Sequence, residues 1–199
     1  MKKDTGTRAD WDSSGIETEA DDWLNKGSDA YRNGEYDEAI SFYLRSIELD
    51  PATAAYYNLG NAYYDQGNLT KAIQSYKKAI ELDPAADAYI NLGIAYGRQG
   101  NLTKAIQLYE QAIELNPDYA KAYFNLGNAY NNQGNTTKAI ENFEKAIEID
   151  PNLAQAYYGL GLAYDDNGDF ATALIYYKTA AKLGDKNAQD WLKENGYDW

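Results

Sequence analysis

The run Ala55-Tyr56-Tyr57-Asn58-Leu59-Gly60-Asn61-Ala62-Tyr63 returns three times along the chain. It recurs as Ala88-Tyr89-Ile90-Asn91-Leu92-Gly93-Ile94-Ala95-Tyr96, as Ala122-Tyr123-Phe124-Asn125-Leu126-Gly127-Asn128-Ala129-Tyr130 and as Ala156-Tyr157-Tyr158-Gly159-Leu160-Gly161-Leu162-Ala163-Tyr164. A degenerate copy around Trp23, Gly27, Ala30 and Tyr31 precedes them. The leading glycines Gly27, Gly60, Gly93, Gly127 and Gly161 stand 33, 33, 34 and 34 residues apart. Seven residues after each comes a second glycine: Gly34, Gly67, Gly100, Gly134 and Gly168. A fixed period of this length marks stacked supersecondary units rather than one globular centre.

Within a period the pattern reads as two helices. Residues 53–66 place Tyr56, Leu59, Gly60 and Tyr63 at i, i+3, i+4 and i+7, one face of a first helix. Gly67 supplies a turn, because glycine tolerates the left-handed backbone that ends a helix. Thr70 is the expected N-cap of a second helix, whose inner stripe is Ala72, Ile73, Tyr76, Ala79 and Ile80. Pro84 then blocks its continuation. Helices this short are marginal alone, so stacking of neighbours must bury both faces. The expected layout is an N-terminal flexible tail over 1–19, five helix-turn-helix units (20–51, 52–84, 85–117, 118–151, 152–184), and a capping helix with a C-terminal tail over 185–199. Ala188, Trp191 and Leu192 give that last helix one apolar face.

Composition narrows the function. The 199 residues contain no cysteine and no histidine, which removes disulfides, thiolate nucleophiles, imidazole bases and the usual zinc ligand sets. No loop carries the spaced acidic pattern of a calcium site; no metal or other cofactor is expected. A net charge of −13 opposes binding to nucleic acid. The charge is uneven, with eight acidic against three basic groups in residues 20–51. That excess fits either a solubilised array end or attraction of a basic partner. No apolar run is long enough to cross a membrane, and none follows the basic opening Met1-Lys2-Lys3, so a cytoplasmic location is expected.

The series Tyr56, Leu59, Gly60, Tyr63, Ala72, Tyr76, Ala79, Pro84 resembles the tetratricopeptide repeat family, as do Tyr89 to Pro117 and Tyr123 to Pro151. The resemblance covers about 20–184 and departs at the ends. Lys26 replaces the leucine and Ser46 the second alanine of the first unit, and Asp185 stands where the fifth unit would have proline. It implies an all-α fold, a right-handed α-solenoid whose first helices line a concave groove for an extended or helical peptide. It also implies a non-catalytic scaffold that binds a peptide segment or partner protein.

Carried over position by position, the resemblance puts Asn25, Asn58, Asn91 and Asn125 along the groove, two residues before each glycine, with Gly159 breaking the series. This looks like the asparagine ladder in the superhelical repeats of O-linked N-acetylglucosamine transferases. Asparagine here also suits a bond to the neighbouring helix, and both readings stay open. Tyr57, Tyr64, Phe124, Tyr158, Ile90 and Ile94 are the apolar groove candidates, with Arg98 and Asn128 beside them. A carboxylate clamp of the family kind would take the register Tyr57 and Asn61, then Asn91, then Lys121 and Asn125, but two of its three cations are missing. A weakened site for a carboxylate around Asn61, Asn91 and Lys121 remains in view. The Asp165-Asp166 pair has no oxyanion or metal partner in the pattern, so no enzyme is expected. The Asn-X-Thr triplets at Asn68, Asn101 and Asn135 read as turn chemistry. The alternative function is a self-associating or designed, consensus-like structural array without a dedicated ligand.

Overall fold

The computed structural model describes residues 13–199, with side chains from residue 18 onward. Among these residues every regular element is an α-helix, in five hairpins and a final helix. The chain divides into two compact units at Leu82 and Asp83. The first contains α1 (Ser13–Arg32), α2 (Tyr36–Leu49), α3 (Thr53–Asp65) and α4 (Leu69–Leu82). The second contains α5 (Ala86–Arg98), α6 (Leu102–Leu115), α7 (Ala120–Asn132), α8 (Thr136–Ile149), α9 (Ala154–Asp166), α10 (Phe170–Lys182) and α11 (Lys186–Glu194). Ser13–Glu19, expected in the tail, are the first turns of α1, and the rest of that tail lies outside the described residues.

One contact explains the leading glycines. A Cβ added at Gly60 would sit 2.5 Å from the ring of Tyr76, and one at Gly161 would sit 2.4 Å from the ring of Tyr177. Gly27 with Tyr43, Gly93 with Tyr109 and Gly127 with Phe143 repeat the arrangement. Each hairpin thus closes by laying the second helix's ring flat on bare backbone of the first, and those rings are almost fully buried. Small residues complete the close approach: Ala39, Ala55, Ala72, Ala79, Ala139 and Ala173 have no exposed surface.

The turn glycines do a different job. Gly67 has φ +88° with nothing near its absent side chain, so backbone conformation alone selects it. The following Asn68, not Thr70, caps the second helix: its Oδ1 accepts the Lys71 N–H at 3.2 Å. Asn101, Asn135 and Asp169 repeat this through the N–H groups of Lys104, Lys138 and Thr172. Thr70 lies inside the helix, because a cap must precede the first turn to reach its orphan N–H groups.

Two of the three terminal departures, Lys26 and Asp185, have local causes. Lys26 is exposed, with its ammonium 4.1 Å from the Trp23 ring, a cation–π contact where leucine would leave apolar surface in water. Asp185 ends one unit and starts the last helix at once: its carboxylate accepts the Ala188 N–H at 2.9 Å. Ala188 and Leu192 of α11 are fully buried against Tyr177 and Ala181, closing the apolar end of the second unit.

Candidate functional site

The first helix of each hairpin presents its unburied residues in a fixed order around the leading glycine. Two before it, Asn58 on α3, Asn91 on α5 and Asn125 on α7 are half-buried, whereas Asn25 on α1 is exposed. Their neighbours Leu59, Leu92 and Leu126 go into the core, so the amides stand at its edge. The Asn125 Nδ2 donates to the Lys121 carbonyl one turn earlier at 2.8 Å. Its Oδ1 and second N–H keep further hydrogen-bonding capacity.

Gly159 breaks the asparagine series for a steric reason. A Cβ there would lie 2.7 Å from the Phe143 ring, which is wedged between Gly127 and Gly159. Any side chain at residue 159 would have to displace a fully buried phenylalanine. The periodicity of α9 alone does not reveal this, since the obstruction comes from α8.

The aromatic candidates are half core and half surface. Three residues before the glycine, Tyr57 has its ring 6.1 Å from Tyr76, Phe124 lies 6.1 Å from Phe143, and Tyr158 lies 5.6 Å from Tyr177. Each leans on the closing ring of its own hairpin and stays partly open on the other side. Burial, with the negative charge of Asp185 added, raises the Tyr158 hydroxyl above the ordinary tyrosine range, keeping it a neutral donor.

Two expected groove residues serve packing instead. Ile90 is completely buried, in one cluster with Ile106, Tyr109 and Leu126. Asn61, half-buried, accepts the Tyr76 hydroxyl at 2.8 Å and so holds the ring that closes its hairpin. A carboxylate site built on Asn61 would have to compete with that bond. Ile94 and Asn128 occupy the same position as Asn61 in their hairpins and are half-buried; Tyr64 is half-buried, and Lys121 and Arg98 are exposed.

Sequence reasoning missed the polar stitches between successive first helices. The Tyr31 hydroxyl donates to Asp65, and the Asn131 Nδ2 lies 3.5 Å from Asp166. In both, a residue four after one glycine meets a residue five after the next. A period-matched search for such offsets would have found them. Asp166 of the Asp165-Asp166 pair therefore contributes to this seam, and no cluster of three or more carboxylates that would hold a metal occurs among the described residues.

The repeated glycine-ring hairpin and its half-open first-helix surface define a helical repeat protein, and the family profiles agree. The TPR repeat profile matches residues 27–67 and 60–100, and the tetratricopeptide repeat profile matches 84–152 and 118–186. The chain belongs to the tetratricopeptide repeat family. A crystal structure of MamA protein is 36% identical, with a TM-score of 0.73, covering 88% of this chain and 96% of that one. A structure of YrrB, described as a TPR protein with an unusual peptide-binding site, is 26% identical with a TM-score of 0.69, covering 92% of this chain and 97% of that one. MamA from Desulfovibrio magneticus RS-1, at 24% identity and a TM-score of 0.74 over 86% of this chain and 97% of that one, shows the shared fold alone. No curated protein matches the sequence significantly. Among the described residues no helix is long and apolar enough to cross a membrane.

Proposed function

We propose that this protein is a non-catalytic scaffold that holds a peptide segment of a partner protein against the first-helix surface of its second unit. The observation that carries this reading is the half-buried row on α5, α7 and α9. Asn91, Phe124, Asn125 and Tyr158 are all half-buried, two or three residues before the leading glycine of their helices. Amides supply donors and acceptors for an extended backbone whatever its side chains, and partly open rings supply anchor area. Ile94, Asn128 and Lys121 frame the row, and Arg98 adds an exposed cation. Asn25, Tyr57, Asn58 and Tyr64 offer the corresponding set in the first unit. The ladder likeness to O-linked N-acetylglucosamine transferases belongs to this proposal, as does the analogy with YrrB, a TPR protein with an unusual peptide-binding site.

The test is selection of binders from a random peptide display library on the immobilised chain. The variant Asn91→Ala/Asn125→Ala is then titrated with the selected peptides. The expected outcome is at least a tenfold loss of affinity, about 1.4 kcal/mol, with an unchanged helical circular dichroism signal. Undiminished binding by the folded double variant rejects the asparagine row as the site.

A further inference from the structure

The outward stripe of each hairpin's second helix follows one register, at i, i+4, i+7 and i+11. On α4 it reads Thr70, Gln74, Lys77, Glu81; on α6 Thr103, Gln107, Glu110, Glu114; on α8 Thr137, Glu141, Glu144, Glu148. All twelve residues are exposed, and none is apolar. The first and last hairpins depart from this. On α2 the stripe is Asp37, Ser41, Leu44, Glu48, and Leu44 is 42% exposed. On α10 it is Ala171, Ile175, Lys178, Lys182, and Ile175 is 64% exposed. No carboxylate occurs anywhere in α10, in a chain of net charge −13.

We propose that the outer stripe of α2 in one copy of this chain packs antiparallel on the outer stripe of α10 in a second copy. The two stripes are complementary in order as well as in sign. Run antiparallel with Leu44 opposite Ile175, Asp37 falls opposite Lys182, Ser41 opposite Lys178, and Glu48 opposite the small Ala171. Run parallel, both aliphatic residues face polar ones, Leu44 against Lys178 and Ile175 against Ser41. Aliphatic contact supplies the attraction, and the opposite charges fix register and partner. Neither stripe matches itself when run antiparallel, because α2 on α2 sets Asp37 opposite Glu48 and Leu44 opposite Ser41, and α10 on α10 sets Ile175 opposite Lys178 and Ala171 opposite Lys182. Each copy carries both stripes, so the contact is heterologous and continues from copy to copy. Two facing helices bury less than the ~1,200 Å² of standard complexes, which makes the association weak and concentration-driven. The inference rests on the outer stripes and not on the peptide-binding surface, so the two stand or fall separately.

Sedimentation velocity of the full chain from about 10 µM to 1 mM tests it, in about 20 mM and then about 500 mM sodium chloride. The expected result is growing assembly at low salt and at least a tenfold weaker association at high salt. Ile175→Glu and Leu44→Glu introduce the kind of residue the inner hairpins carry at exposed positions, and circular dichroism checks that both fold. Each variant alone is expected to stay monomeric. Mixed at equal concentration they are expected to form a one-to-one pair that grows no further, because one keeps the α2 stripe and the other the α10 stripe. A wild-type chain monomeric throughout overturns the proposal. So does self-association by Leu44→Glu, or a mixture without the pair. A monomeric chain that sediments with phosphatidylcholine–phosphatidylserine vesicles also overturns it, in favour of a membrane-facing α10.

Discussion

The hairpins α3–α4 and α9–α10 close in the same way and finish the job differently. In both, a tyrosine ring lies on a bare glycine, Tyr76 on Gly60 and Tyr177 on Gly161. The Tyr76 hydroxyl then reaches Asn61 Oδ1 at 2.8 Å. The residue after Gly161 is Leu162, and the Tyr177 hydroxyl is buried without a hydrogen-bond partner. The last hairpin surrounds that ring with other rings instead, Trp191 at 4.4 Å and Tyr158 at 5.6 Å. The difference separates two requirements. The ring-on-glycine contact is needed by every hairpin; the hydroxyl's partner is set by one residue and can be lost when aromatic packing offsets it.

The largest expected effect attacks what the two hairpins share. Gly60→Ala and Gly161→Ala each force a buried ring off the first helix, at an expected cost of about 2–3 kcal/mol in urea unfolding. Similar losses at both sites support the common contact; tolerance at either one breaks it. Alkaline pH comes next. Burial is the main cause that raises both Tyr76 and Tyr177 above the ordinary tyrosine range. A raised folded-state value means stability is complete below about pH 10 and falls as pH rises beyond it, by up to about 1.4 kcal/mol per pH unit for each tyrosine held neutral. Urea midpoints at pH 9 to 11 should therefore decline, and decline less in Tyr76→Phe and Tyr177→Phe, each with one such group fewer. The smallest effect is the most discriminating, because one substitution should have opposite signs. At neutral pH Tyr76→Phe removes the hydrogen bond to Asn61 Oδ1 and should cost about 1 kcal/mol. Tyr177→Phe removes an unpaired buried hydroxyl and should be neutral or stabilising by about 1 kcal/mol. Leu162→Asn, supplying the missing acceptor, should reverse that sign.

The hairpins themselves were legible, because glycine spacing and a 3.6-residue apolar period bear directly on helix faces and turns. The helix ends and the candidate site were less so. Thr70 and Asn68 are both ordinary capping residues, and only the position of the first N–H groups decides between them. Periodicity says which face of α5 is apolar, but Ile90 is buried by residues of α6 and α7, far away in sequence. Asn61 reads as groove until Tyr76, fifteen residues on, is seen to donate to it. Gly159 reads as a lapse in a ladder until the Phe143 ring is found in its place. Each of these outcomes depends on what arrives from another helix, which the local pattern does not encode.

The Gly60–Asn61–Tyr76 trio carries a lesson for how such a chain can be cut and rejoined. Its parts straddle the Gly67–Asn68 turn, so a crossover at that turn could mate a first helix with leucine at the Asn61 position, as Leu162 stands in α9, with a tyrosine expecting an acceptor. A crossover near Pro51, Pro117 or Pro151 moves the trio as one parcel. Recombination, natural or engineered, should therefore respect the joints between hairpins and spare the bends within them.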